Sequence, residues 1–181
     1  MKNDFDVRHL NVAAFARAGG QMVGEERLTQ LGRLLEESQG VGSGCVVRYA
    51  AHGELRSTGA AQESVWLRLS AEVALPMTCQ RCLGPVEVAV SFDREFRFVA
   101  TEELAAIEDE ESEEDVLVLS RNFNLAELVE DELLMALPVA PKHEVCPKPV
   151  KLSVADADFV DEPEEKPNPF AVLASLKTRK H

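Results

Sequence analysis

Two pairs of residues in this sequence have the side chains and the spacing of metal ligands. Cys79 and Cys82 form a Cys-x-x-Cys pair, and His143 and Cys146 form a His-x-x-Cys pair. Each pair can supply two ligands to one edge of a zinc tetrahedron. The sequence therefore predicts one structural zinc ion held by Cys79, Cys82, His143 and Cys146. Four protein ligands leave no open position, so such a site stabilises structure and does not catalyse a reaction.

Other interpretations of the cysteines stay open on sequence alone. In one, Cys79 and Cys82 bind no metal and Cys146 is an ordinary loop cysteine. In another, Cys79 and Cys82 serve a thiol oxidoreductase, although such motifs place the reactive cysteine at a helix N-terminus, which lowers its pKa. Cys45 falls within a strand pattern and is expected to be a small buried apolar residue.

No catalytic residue is predicted for this chain. The sequence contains no phosphate-binding loop, no nucleophile elbow and no dinucleotide fingerprint, and its four histidines are scattered. We therefore expect a protein that is not an enzyme and has no small-molecule substrate.

The Cys79–Cys82 pair lies between two stretches in which apolar and polar residues alternate. Before the pair, the apolar residues occupy odd positions: Val65, Leu67, Leu69, Ala71, Val73 and Leu75. After it, they occupy even positions, with Arg94 as the one exception: Val86, Val88, Val90, Phe92, Phe96 and Phe98. Alternation with a period of two is typical of half-buried strands. These stretches predict a long antiparallel hairpin whose tip is the Cys-x-x-Cys turn, bounded by Pro76 and Pro85.

The remaining elements predict an α+β fold. An antiparallel sheet, open or curled into a partial barrel, is expected to be flanked by helices near 25–37 and 124–137, with Asn124 as an N-cap of the second. The further expected elements are short strands at 4–10, 45–50, 54–60 and 116–119 and a turn at His52-Gly53.

The domain organisation follows from composition and charge. Residues 1–150 are expected to form a single α+β domain with an acidic loop near 101–115. Residues 151–181 are expected to form a proline-rich acidic linker and a short C-terminal helix with basic residues at its end. The net charge is −13, and residues 101–176 hold 20 acidic residues against 5 basic ones. Such an acidic body disfavours broad binding to nucleic-acid backbones and attracts basic proteins.

A cytoplasmic location is expected. No apolar run approaches the roughly 20 residues of a membrane helix, and the N-terminus lacks the pattern of a secretory leader. The Cys-x-x-Cys pair also fits metal chemistry in a reducing compartment better than a disulfide framework. We therefore expect no membrane association.

Several stretches together resemble a known family. They are Cys79-Gln80-Arg81-Cys82, Leu128–Glu132, Ala136–His143, Cys146 and the tail at 166–177. Their combination and order resemble the bacterial large ribosomal RNA subunit accumulation proteins, the YceD family, over most of residues 65–180. The resemblance implies a non-enzymatic ribosome-biogenesis factor that supports synthesis, processing or accumulation of large-subunit ribosomal RNA. It also places the four predicted zinc ligands on the family's Cys and His positions, and residues 166–177 on its C-terminal motif.

The tail and the hairpin tip are the predicted partner-binding segments. The tail residues expected to contact a partner are Pro167, Asn168, Pro169, Phe170, Leu173, Leu176 and Lys177. The partner is expected to be a ribosomal protein or the large-subunit rRNA precursor; alternatively, the tail packs on its own sheet. Arg81, between the two cysteines, either contacts phosphate or is a solvated turn residue. A second function class is a zinc-stabilised adaptor that binds only protein and has no role in rRNA.

Overall fold

A five-stranded sheet with the strand order β1-β2-β3-β4-β5 forms the centre of the protein. The computed structural model describes residues 5–57, 63–109, 112, 114–148, 154–156, 158–159 and 170. The strands are β1 (Gln21–Arg27), β2 (Val46–Ser57), β3 (Glu63–Thr78), β4 (Pro85–Val99) and β5 (Asp115–Val118). The helices are α1 (Val12–Arg17), α2 (Gly32–Glu37), α3 (Glu102–Asp109) and α4 (Leu125–Met135). The α+β class is confirmed.

The predicted long hairpin is confirmed. Strands β3 and β4 pair antiparallel from Val65 opposite Phe98 to Thr78 opposite Pro85. The predicted apolar parity of β3 faces inward, and its members are buried: Val65, Leu67, Leu69, Ala71, Val73 and Leu75. Because residues of one parity share a face, this face forms the floor of the main core. Helices α1 and α4 cover it.

The sheet is mixed and open. Strand β5 runs parallel to β4, whereas the other pairs are antiparallel. The expectation of a purely antiparallel sheet is therefore wrong at this edge, and the partial-barrel alternative does not hold. Helix α3 connects β4 to β5, which gives the chain the crossover that parallel pairing needs. Its first turn carries Glu102 and Glu103, which the helix dipole favours. A helix thus replaces part of the predicted acidic loop.

The predicted helix at 25–37 is only half correct. Residues Gln21–Arg27 form β1, and a 3₁₀ turn at Leu28–Gln30 precedes the short helix α2. Leu28, Leu31 and Leu34 are all buried as the helical spacing suggested. The spacing therefore identified the core-facing residues, but a 3₁₀ turn followed by a short α-helix, and not one continuous helix, brings them to the core.

The predicted strand at 4–10 and the turn at His52-Gly53 are also wrong. Only Leu10 makes a bridge, with Phe123, and α1 follows it. Gly53 continues β2, because its bare backbone packs against the Phe15 ring. A Cβ added there would lie 2.5 Å from Phe15 Cδ1. This glycine allows close approach of α1 to the sheet and does not make a turn.

Arg94 is the one charged residue on the inward parity of β4. Its guanidinium lies 2.9 Å from the Asp115 carboxylate and 3.4 Å from the Glu132 carboxylate. The side chain therefore links β4 to both β5 and α4, and two carboxylates compensate its charge.

The chain divides into two units, Met1–Pro149 and Val150–His181. The second unit is described only at 154–156, 158–159 and 170. The predicted C-terminal helix thus lies outside the described residues, apart from Phe170. Within the part of the chain that the structure describes, no helix is long and apolar enough to cross a membrane.

Candidate metal centre

The hairpin tip holds its two cysteines in a tight turn. The Cys79 N–H donates to the Gly84 carbonyl at 2.9 Å, and the Leu83 N–H donates to the Cys79 carbonyl at 2.8 Å. Leu83 has a φ of 56°, a left-handed conformation that reverses the chain before Gly84. These bonds place the side chains of Cys79 and Cys82 at the end of the hairpin.

The segment after α4 reaches the same tip. Pro138 and Pro141 keep this segment out of helical conformation. The Gln80 N–H donates to the Pro141 carbonyl at 2.8 Å. The Arg81 guanidinium donates to the His143 carbonyl and, at 3.3 Å, to the Glu144 carbonyl. Hydrogen bonds from the tip to backbone carbonyls of this segment therefore hold His143 and its neighbours beside the two cysteines.

Four ligand atoms converge there. The Sγ atoms of Cys79, Cys82 and Cys146 and a ring nitrogen of His143 all lie within 4.8 Å of one another. We call these four residues the clasp. The Cys79 and Cys146 Sγ atoms are 4.0 Å apart, and Cys82 Sγ is 3.4 Å from His143 Nδ1. A tetrahedral zinc site has edges of roughly 3.5–3.8 Å, given Zn–S of about 2.3 Å and Zn–N of about 2.0 Å. The clasp therefore fits a zinc ion.

The second ring nitrogen of His143 supports the same conclusion. Its Nε2 lies 2.9 Å from the Pro85 carbonyl. A carbonyl only accepts, so Nε2 carries the proton and the Nδ1 lone pair points toward Cys82 in the neutral ring. Metal-binding histidines usually have such an outer hydrogen bond, which fixes the tautomer and the ring orientation. His143 is thus oriented as a ligand.

The protein environment favours the thiolate of Cys79. Burial raises the pKa of this thiol, but hydrogen bonds from the backbone amides of Cys82, His143 and Arg81 outweigh it. Together they lower the pKa to about 5. Burial raises the pKa of the Cys146 thiol, and its contacts with the sulfurs of Cys82 and Cys79 raise it further. Cys79 is therefore the first of these two thiols to ionise and would provide an anionic ligand to a metal.

The clasp is built as a closed site. Cys79 is fully buried, and Cys82, His143 and Cys146 are half-buried. Four protein ligands complete a tetrahedron, so a metal held there would have no position for substrate. The cysteines lie in a turn that leads into strand β4, which differs from the helix N-terminus that activates thiols in thioredoxin-like motifs.

The other predicted positions have mixed outcomes. Arg81 is exposed beside the clasp, but it donates to two backbone carbonyls, a structural role that the sequence did not indicate. Cys45 is half-buried and packs against the main core. Phe170 is exposed. The remaining predicted tail residues lie outside the described residues: Pro167, Asn168, Pro169, Leu173, Leu176 and Lys177.

Sequence reasoning missed two contributors to the site. The Pro85 carbonyl orients His143, and no side-chain pattern marks a backbone acceptor. Leu83 adopts the left-handed conformation in the turn, and its position directly after the second cysteine and before Gly84 was the available signal.

Taken together, these features define an α+β protein whose central hairpin meets a C-terminal segment at a Cys3His cluster. The family described as large ribosomal RNA subunit accumulation protein YceD matches residues 67–177. The chain belongs to this family. A similar relative is the large ribosomal RNA subunit accumulation protein YceD of Haemophilus influenzae, 33% identical over 123 residues, which are 65% of this chain and 68% of the relative. No solved structure matches the chain.

Proposed function

We propose that this chain is a non-enzymatic factor that supports the accumulation of large-subunit ribosomal RNA in the cytoplasm. Family membership carries this proposal, because the family is described by that role and the match at 67–177 includes all four clasp residues. The closed coordination of the clasp agrees with a structural role and with the lack of a small-molecule substrate.

The clasp binds one structural zinc ion in this proposal. Cys79, Cys82, His143 and Cys146 are its ligands, and the ion joins the hairpin tip to the segment after α4. Zinc favours this mixed sulfur and nitrogen ligand set, and the spacing of the sulfur and ring nitrogen atoms supports a tetrahedral ion. The metal therefore strengthens the attachment of this segment to the hairpin tip, which the hydrogen bonds of Gln80 and Arg81 alone hold weakly.

The partner is a ribosomal protein or the large-subunit rRNA precursor. A net charge of −13 favours basic partners at long range. The tail at 166–177 is the proposed docking element, because its Pro-Asn-Pro entry, apolar residues and terminal basic residues fit a short segment that binds a partner.

The proposed function is tested in cells that lack the gene. The measurement is the ratio of large-subunit to small-subunit rRNA. Loss of the gene is expected to lower this ratio, and the wild-type gene is expected to restore it. The Cys79→Ser/Cys82→Ser variant is expected not to restore it, whereas Cys45→Ser, outside the clasp, is expected to do so. An unchanged ratio after loss of the gene contradicts the rRNA role and favours an adaptor that binds only protein.

A further inference from the structure

Aliphatic side chains face solvent around the clasp. Leu83 is 75% exposed and Val145 is 83% exposed, and Val139 is fully exposed. Leu83 adjoins Cys82, and Val145 adjoins Cys146, so the clasp itself brings the two side chains to one end of the hairpin. We call the exposed residues here the clasp surface: Arg81, Leu83, Val139, Lys142, Val145 and Lys148.

Leu83 occupies a conformation that a leucine rarely adopts. Its φ of 56° strains the backbone of an L-residue, whereas glycine adopts it without penalty. The side chain gains little in return, since it is largely solvent-exposed. Residues in strained backbone conformations cluster at functional sites. The exposed side chain of Leu83, which the turn holds at the hairpin tip, is therefore available to a partner.

Two lysines of the clasp surface differ from most arginines of the sheet. Four arginines of the sheet pair with carboxylates at 2.7–3.0 Å: Arg48 with Glu72, Arg56 with Glu95, Arg68 with Asp93 and Arg94 with Asp115. Within the described residues, Lys142 and Lys148 are exposed and have no ion pair. Arg81 is held by the carbonyls of His143 and Glu144 and by the Cys146 sulfur. The two lysines therefore keep their charge available for a ligand.

The positive charge of this surface is small. Glu144 is exposed beside it, and a zinc ion with three thiolates would add one net negative charge. The body of the chain is strongly acidic. Such a surface fits one or two phosphates, and it does not fit the long phosphate track of a duplex.

We propose that the clasp surface contacts single-stranded RNA of the large-subunit rRNA precursor. Lys142 and Lys148 bind phosphates, and Leu83 and Val145 pack against the face of an unpaired base. Unpaired bases expose apolar faces that a helical duplex hides, and single-stranded RNA is the form that proteins read through such contacts. This inference rests on the proposed function and specifies the form of RNA that the clasp surface contacts.

The salt dependence of binding follows from the number of phosphates. For single strands the logarithm of affinity falls with the logarithm of salt concentration at a slope of about −0.7 per phosphate. Two phosphate contacts give a slope of about −1.4, which corresponds to an approximately sevenfold loss of affinity between 50 and 200 mM KCl.

The test uses the full chain as purified and a fluorescein-labelled 12-nucleotide oligouridylate, followed by fluorescence anisotropy. The variants are Leu83→Gly, Lys142→Ala/Lys148→Ala and, as a matched control, Arg121→Ala, an exposed arginine outside the clasp surface. Leu83→Gly removes the contact without loss of fold, because relief of the backbone strain offsets the entropy cost of glycine.

We expect the Lys142/Lys148 variant to bind at least tenfold more weakly than the wild type, and Leu83→Gly at least threefold more weakly. Arg121→Ala is expected to bind like the wild type, and a hairpin RNA duplex of equal length is expected to bind worse than the single strand. No binding by the wild type, equal loss in Arg121→Ala or equal affinity for the duplex overturns the proposal.

Measurements of rRNA levels in cells distinguish failure of this inference from failure of the function on which it rests. Normal rRNA levels with Leu83→Gly, alongside a defect in cells without the gene, leave the proposed function intact and contradict the RNA contact. Normal levels in cells without the gene contradict the proposed function itself, whatever the protein binds in solution.

Discussion

The Sγ atoms of Cys79 and Cys146 lie 4.0 Å apart although 67 positions separate the two residues in the chain. This contact joins the end of β3 to the segment beyond α4. Apart from contacts among the clasp side chains, the described bonds between this segment and the hairpin are the Gln80 amide to the Pro141 carbonyl, the Arg81 guanidinium to the carbonyls of His143 and Glu144, and the His143 ring to the Pro85 carbonyl. The clasp is therefore the main attachment of residues 138–148 to the hairpin.

Removal of metal is expected to release this segment while the core stays folded. A zinc chelator is expected to lower the hydrogen-exchange protection of the Gln80 amide at least tenfold, because its bond to Pro141 depends on the clasp. The Leu69 amide, inside the main core, serves as the control and is expected to keep its protection. Unchanged protection at Gln80 contradicts a metal-dependent attachment.

Glu130 caps helix α2 from a distance. Its buried carboxylate accepts from the backbone amides of Arg33 and Leu34 at 2.8 and 3.1 Å. The N-cap residue of α2 makes no side-chain capping bond. The bonds from Glu130 therefore satisfy N-terminal amides that have no hydrogen-bond partner within the helix. Glu130→Ala is expected to lower the free energy of unfolding by about 2–3 kcal/mol in urea denaturation.

Two further variants make this prediction specific. Glu130→Gln, which keeps an acceptor, is expected to lose less than Glu130→Ala. Glu127→Ala, on the exposed face of α4, is expected to cost under about 1 kcal/mol. Equal losses for Glu127→Ala and Glu130→Ala contradict the cap.

The sequence anticipated the hairpin and the clasp because their signals are local and chemically distinctive. Alternation over β3 and β4 leaves one face apolar, and cysteine and histidine at ligand spacing have few other uses. Asn124 was likewise recognisable, and its side chain accepts from the Glu127 amide at 3.2 Å. These features depend on residues within one element or one short motif.

The elements that sequence missed depend on tertiary contacts. Strand β1 turns Glu26 inward, which is possible because Arg8 lies 3.2 Å from its carboxylate. Gly53 signals a turn in isolation, yet it sits in a strand because Phe15 approaches its backbone. Parallel β5 follows from the crossover through α3. Arg8 and Phe15 lie far in sequence from the positions whose structure they determine.

Gly53 provides a direct test of that close approach. Gly53→Ala places a methyl group 2.5 Å from Phe15 Cδ1 and 3.1 Å from the Ala16 Cα. The backbone neighbour cannot yield easily, so a loss of about 1–3 kcal/mol is expected in thermal or urea unfolding. Gly32→Ala, where a Cβ meets nothing within 4 Å, is the control and is expected to be neutral or stabilising by up to about 1 kcal/mol. Similar losses at both sites contradict the account of Gly53.

Glu132 predicts a specific pH dependence. Burial raises the pKa of its carboxyl; Arg94 lowers it, but Asp115 and Asp131 raise it again, so the folded pKa lies above the ordinary value. The folded state therefore binds this proton more tightly than the unfolded state, and the associated stability is lost as pH rises through the folded pKa. Glu132→Gln is always neutral and escapes that loss.

The difference in stability between Glu132→Gln and the wild type is expected to shift in favour of the variant from pH 4 to pH 7. Urea denaturation at several pH values measures it. Asp93→Asn has the opposite sign, because Arg68 lowers the pKa of Asp93. A stability difference for Glu132→Gln that moves toward the wild type with rising pH contradicts the assignment.

Zinc content tests the central claim most directly. Elemental analysis of protein purified without a metal-affinity tag is compared for the wild type and the Cys79→Ser/Cys82→Ser variant. Cys45→Ser is the control, because Cys45 packs against the core. The account predicts about one zinc per chain in the wild type and in Cys45→Ser, and none in the double variant. A wild-type protein without zinc, with Cys79, Cys82 and Cys146 all open to thiol reagents, would contradict it.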